Sequence, residues 1–137
     1  MPWSRYQISP AFSAYGLSSY TVSNGVEVVF STVTINQGNG YSNSTGRFTA
    51  PVDGNYMFDW TFLSTSSSNS VDTRIKINNS TIFGAAFTGD NVTGYKSGGG
   101  AAACYLTAGQ YVSISAFNTA YFHPDGAHQV FSGFLVL

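Results

Sequence analysis

Charge is what this sequence has least of. Asp, Glu, Lys and Arg make up 8% of its 137 residues, against about a quarter in an ordinary soluble domain. Its cations, Arg5, Arg47, Arg74, Lys76 and Lys96, are scattered along the chain, and the net charge is −1. No basic stripe exists for a phosphate backbone to follow, which argues against nucleic acid as a partner. Cysteine is nearly missing too. A lone Cys104 excludes an intrachain disulfide framework. Its neighbours Ala101, Ala102, Ala103 and Leu106 predict a small buried thiol, with an interchain disulfide as the alternative reading. Met1–Pro10 has no apolar stretch of signal-peptide length, and no run approaches a membrane span. The expectation is a chain relieved of its leader or never sent through a secretion route, with no membrane insertion. No stretch of helical length shows a 3.6 period.

The vocabulary of catalysis is absent as well. There is no Gly-x-Ser-x-Gly elbow, and the many serines single out no nucleophile. Gly98-Gly99-Gly100 lacks the Lys-Ser/Thr of a phosphate-binding loop and reads instead as close backbone approach within a strand. The chain is read as non-enzymatic and without a cofactor.

Short apolar runs punctuated by turns are what remains, and they predict an all-β sandwich. Tyr56–Phe62 alternates so that Tyr56, Phe58, Trp60 and Phe62 share one face. Val71–Ile77 sets Val71, Ile75 and Ile77 against a wet face of Asp72, Arg74 and Lys76. Further strands are expected at Ala11–Tyr15, Val26–Ile35, Arg47–Ala50, Thr81–Phe87, Gly100–Leu106, Tyr111–Phe117 and Val130–Leu137. Asn24-Gly25, Asn39-Gly40, Thr45-Gly46, Asp53-Gly54 and Ala108-Gly109 supply the turns between them. Ser64–Ser70 is one low-complexity loop. The strongly apolar end, Val130–Leu137, predicts a strand buried within a sheet or against a neighbouring subunit. One domain, residues 11–137, follows a lead-in segment of residues 1–10.

Several spaced motifs carry a resemblance. Ala11-Phe12-Ser13-Ala14 opens it, followed by Phe30, Asn36, Gly38, Tyr41 and the run Ser44-Thr45-Gly46-Arg47-Phe48-Thr49-Ala50-Pro51. Gly54–Phe58, Ser97-Gly98-Gly99, Leu106, Gly109, Val112 and Phe131-Ser132-Gly133-Phe134-Leu135 complete the pattern. The sequence resembles the globular heads of the complement C1q and tumour-necrosis-factor superfamily, on the C1q side. That resemblance implies a ten-stranded jelly-roll β-sandwich assembling as a compact homotrimer, binding proteins, glycans or particle surfaces without chemistry. No Gly-X-Y stalk precedes the head in this chain, so the heads alone would hold a trimer. Some relatives bind calcium near the trimer axis through several acidic residues. Here Gly89–Lys96 offers one carboxylate, Asp90, too few for a hard calcium site.

Two loops have binding chemistry. Gly89–Lys96 carries Asp90, Tyr95 and Lys96, and Tyr121–His128 carries Tyr121, His123 and Asp125. Aromatic rings beside a few hydrogen-bonding groups suit a cell-surface glycan or protein ligand. The plainer alternative is that both loops only shield the ends of the trimer. His123, Asp125 and His128 are metal-ligand types, but Pro124 and Gly126 mark a turn and spacing alone does not set ligand geometry, so no metal is assigned. Asn43, Asn78, Asn79 and Asn91 begin glycosylation sequons, which a chain this rich in Asn, Ser and Thr produces by chance.

Two functions fit these readings. One is a structural or receptor-binding head on a virus particle, a phage fibre tip or decoration, placed at the virion surface. The other is a secreted, lectin-like innate-immune recognition protein. Low charge, a lone cysteine and a Ser/Thr/Asn/Gly/Tyr bias favour the virion.

Overall fold

The computed structural model describes residues 9–65, 70–89 and 94–137. Most of the lead-in segment (up to residue 8), Asp90, the Asn91 sequon and residues 66–69 of the low-complexity loop lie outside the described residues.

Among the described residues twelve strands follow one another: β1 (Ala11–Leu17), β2 (Thr21–Val22), β3 (Phe30–Gln37), β4 (Tyr41–Ser42), β5 (Arg47–Thr49), β6 (Gly54–Leu63), β7 (Asp72–Ile77), β8 (Thr81–Phe87), β9 (Ser97–Leu106), β10 (Tyr111–Ala116), β11 (Ala120–Tyr121) and β12 (Val130–Val136). Ten of them form two five-stranded sheets, ordered β3-β1-β12-β6-β9 and β4-β5-β10-β7-β8, and β2 with β11 makes a small ribbon. The paired strands are antiparallel, and the two sheets face each other as a jelly-roll sandwich.

The alternation in β6 explains the core. Tyr56, Phe58, Trp60 and Phe62 are all buried, while Asn55, Asp59 and Thr61 on the other face are exposed. Trp60 reaches across the sandwich, and its indole Nε1 donates to Thr73 Oγ1 at 2.9 Å. Thr73 Oγ1 in turn donates to the Ala86 carbonyl at 2.9 Å. Both polar groups are thereby satisfied in the dry interior. Gly100 makes room for this, because a Cβ there would lie 2.9 Å from the far edge of the Trp60 ring. The triple glycine is thus a packing feature, as its place in a strand predicts. At the other end of the core, Phe12 stacks on Tyr41 and Phe48 with centroids 5.0 and 4.8 Å away. The Tyr41 hydroxyl donates to Phe30 O at 2.6 Å, and burial pushes its pKa up.

Three expectations need correction. The strand expected over Val26–Ile35 begins only at Phe30. Before it, Val28 N donates to Ile114 O and Ala116 N to Val26 O, so residues 26–28 run beside β10 of the other sheet. Glu27 clamps this segment by accepting from Arg47 Nε and Nη2 at 3.0 and 2.9 Å. A run rich in β-branched residues, Val26 to Ile35, conceals the point where the chain changes sheets. The two-residue strands β2, β4 and β11 are too short to leave any period in the sequence. Finally, Cys104 is half-buried rather than enclosed: it packs on the core from β9, an edge strand, and burial pushes its thiol up to about 11.

Register fixes the polarity of the sandwich. Ala11 pairs with Phe134 and Leu135 N donates to Pro10 O, so the start of β1 and the end of β12 share one pole. Tyr15 pairs with Val130, Val130 with Thr61, and Thr61 with Gly99 toward the opposite pole. The connections after β1, β6 and β11 and before β9 gather at that second pole.

Candidate recognition site

The described end of the first loop singled out in the sequence, at Tyr95, meets the second there. Tyr95 and His123 stand edge to face with centroids 4.8 Å apart, and His123 and His128 do the same at 5.5 Å. Tyr95 is 61% exposed and Tyr121 37%, so both rings offer surface to a partner. Asp125 is exposed as well, and its carboxylate lies 3.8 Å from His128 Nε2.

Local chemistry builds the second loop. Pro124 cannot donate to a ladder, and the chain turns there. Asp125 then caps a single 3₁₀ turn, Gly126–His128, by accepting from Ala127 N at 3.2 Å. His123 Nδ1 accepts from Asp125 N at 3.0 Å. Gly126 is forced by crowding, since a Cβ would lie 2.7 Å from the Tyr20 hydroxyl and 2.9 Å from Gly16 Cα.

Underneath sits a residue that the sequence did not single out. Gln129 is fully buried. Its Nε2 donates to the carbonyls of His123 at 2.7 Å and Asp125 at 3.3 Å, and its Oε1 accepts from Leu63 N at 2.9 Å. One amide thus ties the loop to the end of β6. His123 N donates to Leu63 O, and Thr65 N to Tyr121 O, on the same seam. A buried glutamine in a polar loop has no pattern to betray it.

Lys96 is buried, unlike Tyr95 beside it. It is only 7% exposed, and its backbone accepts from Ser64 N and donates to Ser64 Oγ. It is built into the loop base, beneath Tyr95. Among the described residues no group of three His, Cys, Asp or Glu is arranged to hold a metal ion. No helix of the described residues is long and apolar enough to cross a membrane.

Residues 18–29, β2 included, line a cleft of about 260 Å³. Thr21 lines it and is the register partner of Tyr121.

Comparison with known proteins agrees with this architecture. No curated protein sequence matches the chain closely enough to count as a relative. Among solved structures, the globular domain of zebrafish complement 1qA superposes with a TM-score of 0.79 at 21% identity, covering 95% of this chain and 98% of that one. Murine APRIL gives 0.75 at 10% identity over 94% of this chain and 100% of that one. Eiger TNF from S. frugiperda gives 0.75 at 11% identity over 94% and 93%. At these identities the likeness shows the fold, which is that of C1q and TNF heads. A family model described as the C1q domain matches residues 11–136. Matched over nearly its whole length, in motif order and in fold, this chain belongs to the C1q domain family.

Proposed function

We propose that this C1q-domain chain is a homotrimeric, non-enzymatic recognition head on a virus particle, a phage fibre tip or decoration, that binds a host surface glycan or protein through the loop pole. The observation that carries the reading is the meeting of Tyr95 with His123. Two loops, distant in sequence, combine exposed rings and hydrogen-bonding groups at the pole opposite Ala11 and Leu137. A head attached near either chain end would present these loops outward, and rigid strands hold them in place. Low charge, a single cysteine and the Ser/Thr/Asn/Gly/Tyr bias support the virion setting.

The trimer reading has its own support. On the outward face of the first sheet, Phe134 lies in register beside Ala11 and Met57, and Met57 beside Ala103. Phe134 is 51% exposed, and Tyr105, Val136 and Leu137 nearby are also exposed. A contiguous apolar patch of this kind is covered in a stable assembly. Three heads together give avidity that one weak site lacks.

Whole-cell and glycan-array binding tests the proposal, comparing the wild type with Tyr95→Ala and with Tyr121→Ala/Asp125→Ala. The expected result is loss of binding in both variants with the assembly intact. Binding that persists in both would move the ligand to the sides of the sandwich.

A further inference from the structure

We infer that the cleft beside β2 takes a single neutral pyranose ring and is the sugar-holding part of the recognition pole; this rests on the reading of that pole as the binding surface. Its walls carry four hydroxyl residues, Ser18, Ser19, Thr21 and Ser23, together with aliphatic surface that includes Val26. Ser19 Oγ is engaged, donating to Thr21 O at 2.8 Å. The hydroxyls of Ser18, Thr21 and Ser23 make no hydrogen bond to the protein among the described residues. Each remains free to donate and to accept, which is what a sugar hydroxyl needs of its partner.

Charge decides the ligand class. Among the described residues, Glu27 is the one charged residue on the walls. Its carboxylate already accepts from Arg47 Nε, Arg47 Nη2 and Ser113 Oγ, and its side chain is 14% exposed. An anion entering the cleft finds no unpaired cation among the described residues of the walls, because the Arg47 guanidinium is already held by Glu27. A cation finds that carboxylate already spent. A neutral polyhydroxylated ring suffers neither penalty, and its C–H patch has Val26 to lie against. Size sets the extent: at about 260 Å³ the cleft falls just below small-molecule sites of about 300–1,000 Å³, room for one ring and not a buried chain. Tyr121 stands next to one wall residue, Thr21. It is the antiparallel partner of Thr21 and both are exposed, so their side chains stand on one face of the ribbon. The next sugar of a glycan could stack there.

The test titrates the full chain with the methyl glycosides of galactose, glucose, mannose, fucose and N-acetylglucosamine, followed by backbone amide NMR shifts. N-acetylneuraminic acid and choline serve as charged controls. At least one neutral glycoside is expected to shift the amides of Ser18–Ser23 and Tyr121, with both controls weaker. Val26→Trp fills the cleft from an exposed position and should weaken that binding about tenfold or more, the scale of 1.4 kcal/mol. Thr21→Val keeps the shape, removes one hydroxyl and should weaken it in the same direction if the tryptophan disturbs folding. Absence of shifts at these amides with every neutral glycoside, or tighter binding of a charged control, overturns the inference. Whole-cell binding lost in Tyr95→Ala but unchanged in Val26→Trp and Thr21→Val also overturns it while leaving the recognition pole in place. Binding indifferent to all three variants overturns both.

Discussion

At the residue scale, the candidate site depends on a side chain that never touches a ligand. Gln129 satisfies two carbonyls and one N–H in a dry seam. Gln129→Leu has similar bulk but leaves those groups without partners, at about 1–3 kcal/mol for each buried group stranded. We expect a loss of about 2 kcal/mol or more in denaturant unfolding, with faster amide exchange at Leu63 and Asp125. A change within about 0.5 kcal/mol, ordinary for a surface site, would show that water replaces the amide. Cys104 gives a second prediction. Burial pushes its thiol from 9.0 up to about 11, so at pH 8 the native chain carries far less thiolate than the unfolded one. Iodoacetamide should label native protein at least about tenfold more slowly than denatured protein. The raised value also sets a sign: below the unfolded value the thiol is neutral in both states. As pH rises past 9.0 the unfolded chain ionises first and native stability falls. The placement of the candidate residues was legible in part. Exposed Tyr95, Tyr121 and Asp125 follow from loop chemistry, whereas the burial of Lys96 and of Gln129 follows from contacts with Ser64 and Leu63 that no local pattern records.

At the scale of the element, legibility tracks periodicity. β6 and β7 alternate over several residues, and their buried faces follow directly from the sequence. β2 and β11 have two residues each, and their pairing depends on chain brought together from a hundred positions apart, which local spacing does not encode. The change of sheet near Val29 is hidden for a different reason: Val26, Val28 and Val29 suit either sheet equally well. Trp60 is the sharpest test of the element that reads best. It is 1% exposed and bonded to Thr73 on the facing sheet. Trp60→Ala should cost about 3–5 kcal/mol through the cavity and the lost indole hydrogen bond. A loss below about 1 kcal/mol would mean that the sandwich repacks around the gap.

At the scale of the whole molecule, the outward apolar face predicts assembly. Light scattering at micromolar concentration should return a trimer mass, and Phe134→Arg should lower it to a monomer that keeps its strand content, because Phe134 is exposed in the single head. A wild-type monomer mass would remove the trimer from the proposal. The opposed poles have a mechanical consequence of their own. Tension applied at Tyr95 and Tyr121 and resisted near Ala11 runs along the strands. In that direction the rungs joining β1 to β3 and β12 are sheared side by side and have to give way together. A pull across the sheet would unzip them in turn. Resistance to forced opening is set by the unfolding rate, not by equilibrium stability alone. The grip on a surface should therefore let go before the head that makes it comes apart.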